Sequence, residues 1–209
     1  MTSNSLLPTA GLADSASLFI ADMERWLERA VIGLNLCPFA KAVHVKGQIH
    51  YAVVNAQRPD EVLRVLRQEL ADLAASPEDE RDTTLLVMPH GFPDFLDFND
   101  FLGEADDLLE SMGLAGVLQI ASFHPRFQFA GTAEDDVTNC TNRAPYPTLH
   151  LLREASIDRA VAVFPEAETI YERNMEVLQS LGGSGWAALG VGATVMPSGD
   201  PVKKNGEGG

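Results

Sequence analysis

TTLLVMPHGFPDFLDFNDFLGEADDLLESMGLAGVLQIASF, residues 83–123, decides the fold. It opens on an apolar run, 83–88, of the kind that forms a strand buried on both faces. It closes on a second strand-like run, 117–123. Between them Phe98, Phe101, Leu102, Ala105, Leu108, Leu109 and Met112 recur at i, i+3, i+4 spacing, which draws one apolar stripe along a helix. Asp97 is placed to cap this helix, Asp100 falls in its first turn, and Gly113 is placed to end it. Strand, helix and strand in this order argue for a parallel or mixed sheet with helices packed on it.

Working outward, residues 49–54 read as another short strand. Pro59 opens a helix with Val62, Leu63, Leu66, Leu70 and Leu73 on one face. Nearer the start, Leu18, Phe19, Asp22, Met23, Trp26, Leu27, Ala30, Val31 and Leu34 form an apolar stripe with one polar exception, Asp22. Asp14 or Ser15 can cap that helix, and Pro38 ends it near Leu36. Beyond residue 123, Pro147 reads as the start of a helix reaching 159, and Pro165 as the start of another reaching 181, stopped by Gly182-Gly183. Residues 161–164 read as a short edge strand. The expectation is a single α/β domain over 15–189, with a small parallel or mixed central sheet of three to four strands and helices packed on it. Residues 1–14 and 190–209 are expected to be loose tails.

The chain has 209 residues, enough for one sizeable core. It carries 30 Asp and Glu against 15 Lys and Arg, a net charge of −15. That balance opposes binding to nucleic acid and to anionic membranes, so the expected partner is a small-molecule substrate. The two Cys stand far apart with no paired metal motif, and the first residues lack the pattern of a secretory signal. A cytoplasmic protein is the expectation, and no apolar run approaches the length of a membrane span.

The segment from 122 to 154, SFHPRFQFAGTAEDDVTNCTNRAPYPTLHLLRE, shows no period over its first two dozen residues. Its Phe, Tyr and Pro residues argue for a folded loop, and long folded loops are usually functional. Two strands of the expected sheet end in a His beside a Pro, at His90 and His124. Ligands of open α/β sheets bind beyond the carboxyl ends of the strands, so the loop and both His are expected on one functional edge. On the expected helix after Pro147, His150 and Glu154 stand four apart. With His124 they would supply two imidazoles and a carboxylate for a divalent metal ion. Asp135, Asp136 and His90 are the candidate acid–base residues. Arg126, Asn139, Asn142, Arg143 and Arg153 are the candidate substrate-binding residues, since guanidinium forks suit carboxylate or phosphate. The plain alternatives are a surface His–Glu pair, a turn capped by the Asp pair, and Arg143 neutralised by Asp135 or Asp136.

Cys37 falls near the buried stripe and at a helix C-terminus, which reads as a core thiol rather than a nucleophile. At NLCPFAK (35–41), FHPRFQFAGTAEDDVTN (123–139) and TNRAPYPTLHLLREASIDRAV (141–161) the chain resembles a bacterial family carrying a domain-of-unknown-function label. The resemblance covers most of residues 16–181 and implies no activity. The expected function is an enzyme acting on a small polar or anionic metabolite, by metal-assisted hydrolysis in its sharpest form. A metal-free Cys/His enzyme and a non-catalytic anion-binding module are the alternatives.

Overall fold

The computed structural model describes residues 10–163 and 169–195. Its centre is a mixed sheet of β1 (Ile49–Val53), β2 (Thr83–Val87), β3 (Leu118–Phe123) and β4 (Thr148–Arg153), in the order β1-β2-β4-β3. β1 and β2 are parallel, and β4 is antiparallel to both of its neighbours. β1, β2 and β3 therefore point the same way, and the loops after β2 and β3 leave from one edge.

β4 replaces the helix expected over 147–159. Residues 148–152 are paired on both sides, to β2 and to β3. Leu149 and Leu151 point to one face and are fully buried. Without this strand β2 and β3 would each present a bare edge of unpaired backbone groups. Pro147 suits the position just ahead of a strand, where no ladder donor is needed, and its carbonyl accepts from Met88 N at 2.9 Å. Helix α5 (Glu154–Val163) begins only where the ladder stops. Residues 161–163 are thus helical rather than an edge strand, and residue 164 lies outside the described residues.

Helices cover both faces of the sheet. On one side α3 (Pro59–Ala75) and α4 (Phe95–Ser111) place Val62, Leu66, Leu70, Phe98, Phe101 and Ala105 against Leu86, Leu118, Leu149 and Leu151. Each of these Val, Leu and Phe side chains contributes about 1.5–3 kcal/mol by leaving water. On the other side α1 (Ala10–Trp26) continues into a π-helix (Leu27–Ile32), and Phe19, Met23, Trp26 and Leu27 meet Leu85, Val87 and Tyr146. A short helix, α2 (Ala40–Val45), precedes β1. The last helix, α6 (Ile170–Ala188), lies against the Val137–Asn142 turn, where Leu178 packs with Leu36 and Cys140.

Several boundaries differ from expectation. α1 begins at Ala10, ahead of the Asp14/Ser15 cap. Asp94, not Asp97, caps α4, accepting from Leu96 N at 2.8 Å and Asp97 N at 3.4 Å. Gly182 does break helical geometry (φ 68°, ψ 170°), but a second helical stretch follows it. Residues 190–195 are not loose: Val191 is buried in the α1-side core. Residues 1–9 and 196–209 of the expected tails lie outside the described residues. Among the described residues no helix is long and apolar enough to cross a membrane.

Candidate functional site

The carboxyl edge of the sheet is organised around His124. It follows β3, is 1% exposed, and lies against Phe98 and Phe95 with ring centroids 5.3 and 5.4 Å away. Its Nε2–H donates to the Phe92 carbonyl at 3.0 Å, and its Nδ1 accepts from Arg126 N at 3.0 Å. One neutral tautomer satisfies both bonds. Burial pushes the imidazole pKa down, against the opposing effect of the Phe92 carbonyl. His124 thus ties the loop after β3 to the loop after β2. Neither ring nitrogen keeps a lone pair for a metal.

The aperiodic loop carries its own small core. Phe127 meets Phe95 and Phe129, and Phe129 meets Tyr171 of α6. Asn139 is fully buried in a 3-10 turn, Val137–Asn142. Its Oδ1 accepts from Phe129 N and Thr132 Oγ1, both at 2.9 Å, and its Nδ2 donates to the Ala133 carbonyl at 2.8 Å. All three bonds fold the loop, so Asn139 is a strut rather than a substrate contact. Asp136 caps the same turn, accepting from Thr138 N at 2.9 Å and Thr138 Oγ1 at 2.7 Å. Those bonds hold its carboxyl below the usual range and leave it poorly suited as a base.

Arg143 and Arg126 are the groups this scaffold presents. Arg143 is half-buried; its Nε donates to the Phe127 carbonyl at 3.0 Å and one terminal nitrogen to the Glu134 carbonyl at 2.7 Å. Its own carbonyl accepts from Trp26 Nε1 at 2.8 Å, which anchors it to α1. Among the described residues no carboxylate lies within ion-pair distance of Arg143. The expected pairing with Asp135 or Asp136 is therefore absent. Arg126 is exposed and bonds the Pro93 carbonyl and Asp94 Oδ2, the latter at 3.2 Å. An open groove of about 510 Å³ is lined by Pro125, Arg126, Glu134, Asp135 and Arg143.

The other expected site residues do not join this groove. His90 shares its edge but is exposed, with Phe19 edge-on at 5.5 Å. Asn142 contributes its carbonyl to His124 N at 3.1 Å and does not line the groove. Arg153, Glu154 and His150 are displaced by the strand that replaced their expected helix. Glu154 N bonds the Val117 carbonyl, at the opposite edge of the sheet from His124. His150 sits mid-strand on the α1 side, 6.0 Å from the Phe123 ring, and burial holds its imidazole down at about 4. Arg153 donates to the carbonyls of Leu73, Ser76 and Arg81, at 2.6–3.2 Å, closing the end of α3. The metal set of His124, His150 and Glu154 is therefore dispersed. Among the described residues no three His, Cys, Asp or Glu converge as a metal site. Burial pushes both thiols up: Cys37 despite backbone bonds from Phe39 and Ala40, and Cys140 despite the nearby Arg143 guanidinium. Neither has the low pKa of a nucleophile.

Sequence reasoning missed Glu134 and Pro125 of the groove, which no period marks. It also passed over the Asp22 network. Asp22 is fully buried and accepts from Tyr146 OH at 2.6 Å, Thr194 N at 2.7 Å, Thr194 Oγ1 at 2.6 Å and Arg25 at 2.5 Å. Burial pushes its carboxyl up, but these donors outweigh it and leave the pKa below the ordinary value. The signal was present: a lone carboxylate on an otherwise apolar stripe must find partners.

A family model described as "Protein of unknown function (DUF1415)" matches residues 18–188. No curated protein and no solved structure gives a match.

Proposed function

For a chain that belongs to the DUF1415 family, whose description names no activity, we propose an enzyme that binds a small anionic metabolite in the groove at the carboxyl edge of the sheet. Arg143 carries this reading. It is a half-buried cation with no carboxylate partner among the described residues of a chain with net charge −15. Its Nε and one terminal nitrogen are bound to backbone carbonyls, which fix the plane of the fork. A preorganised guanidinium loses little freedom on gripping a carboxylate or phosphate. Arg126 supplies a second positive group on the same groove. Asp135 is exposed on its lining and serves as the general base. This reading rests on the Arg pair and does not need the dispersed His124, His150 and Glu154.

The bond from Trp26 Nε1 to the Arg143 carbonyl provides the assay. In a Trp186→Phe background, the remaining indole reports movement of Arg143. Titration with acetate, succinate and inorganic phosphate should give a saturable fluorescence change with at least one of them. Arg143→Gln should weaken that ligand by about ten- to a hundredfold, the loss of a charge-assisted bond. Unchanged affinity in Arg143→Gln, or no saturable response to any anion, would sink the proposal. Asp135→Asn should abolish turnover of a substrate found by screening; turnover retained would remove Asp135 as the base.

A further inference from the structure

We infer that the ligand of this groove is dipolar, with a cationic amino group as well as an anionic one, in the manner of a free amino acid. The inference rests on the anion-site reading above and narrows its substrate class. The groove has two poles. Its charged lining is two cations, Arg126 and Arg143, and two carboxylates, Glu134 and Asp135. The poles do not neutralise each other. Among the described residues Arg126 pairs with Asp94, Arg143 binds only backbone carbonyls and the Cys140 sulfur, and neither Glu134 nor Asp135 has an ion-pair partner.

The fold sets residues 134 and 143 side by side. The Arg143 guanidinium is bonded to the carbonyl of Glu134 itself. The residue that would meet an ammonium group is thereby held beside the residue that would meet a carboxylate. A ligand bridging them needs its two charges only a few bonds apart. The field of the whole molecule favours the same class. A net charge of −15 repels small anions at long range, but it exerts little net force on a ligand whose charges cancel. A zwitterion reaches the Arg pair without crossing that barrier.

The test uses the full chain and the Trp26 fluorescence signal. The probes are free L-α-amino acids and ω-amino acids, each matched with the carboxylate lacking its amino group and the amine lacking its carboxylate. The expected result is that an amino acid binds about tenfold more tightly than its matched carboxylate, the size of one added charge contact. Glu134→Gln should erase that preference while leaving the matched carboxylate unchanged. Glu134 is exposed, so the variant should keep its fold; unchanged urea unfolding would verify this. Carboxylates that bind as well as their amino acids, with Glu134→Gln silent, would overturn the dipolar reading and leave the anion site standing. Failure of every anion and amino acid to bind would overturn both.

Discussion

Asp22 shows how one residue joins distant parts of the chain. Its carboxylate holds Tyr146 ahead of β4 and Thr194 near the last described residues, while Arg25 reaches on to the carbonyls of Gly190 and Gly192. Asp22→Asn removes the charge and turns two acceptor positions into donors facing donors. The expected cost is about 3–5 kcal/mol, as for breaking a buried charged pair, read from the urea midpoint. Thr194→Val should cost less, and the two together less than their sum, because they share one network. His150 makes a second prediction. Its ordinary pKa of 6.5 falls to about 4 in the folded chain. Between those values the unfolded chain binds a proton that the folded chain refuses, so stability falls as pH drops from 6.5 toward 4. His124, also lowered, acts in the same direction. His150→Phe should flatten the decline, recovering about 1–2 kcal/mol at pH 5 relative to pH 7. An equally steep decline in the variant would show that the acid sensitivity lies elsewhere.

Two elements carry their own predictions. In the π-helix and the turn after it, Gly33 N bonds the Glu28 carbonyl at 2.9 Å and Leu36 N the Val31 carbonyl at 2.8 Å, each five residues back. A Cβ on Gly33 would come within 2.3 Å of the Arg29 carbonyl oxygen. Gly33→Ala must therefore shift the backbone, at a cost of about 1–3 kcal/mol, although alanine usually favours helices. A stabilised Gly33→Ala would mean that the wide turn is dispensable. Arg153→Met should cost about 2–4 kcal/mol in thermal or urea unfolding, since it strands the carbonyls closing α3. β1, β2, β3, α3 and α4 were readable because period and length agreed, as in the 83–88 run and the Phe98 to Met112 stripe. β4 was not. Leu149, Leu151 and Leu152 satisfy a helical arc and a buried strand equally well, and short apolar runs leave that choice to tertiary pairing. The edge holding the groove was readable from where the strands end. The roles on it were not, because Asn139 and Arg143 take their directions from Phe129, Phe127 and Glu134, partners set by loop folding.

At the scale of the molecule, the sheet is closed by its last strand. β2 and β3 are joined only through β4, and β3 has no ladder with any other strand. A chain ending at residue 143 would keep three strands and both of the helices on the α3 side, yet lose the joint between β2 and β3. It should show no cooperative urea transition, whereas the full chain should show one; a sharp transition in the fragment would mean that the two halves hold together by helix packing alone. The groove belongs to this scale too, since its lining residues all come from the segment between β3 and β4.

The antiparallel insertion of β4 also sets an order of events during synthesis. Residues 83–87 and 118–123 leave the ribosome well before residues 148–153. For that interval the nascent chain carries two uncharged segments whose β4-facing edges have no partner. Such an intermediate is open to pairing with another nascent chain of the same sequence. Both edges are filled only when residue 153 clears the exit, so translation speed through the aperiodic loop controls how long they stay open.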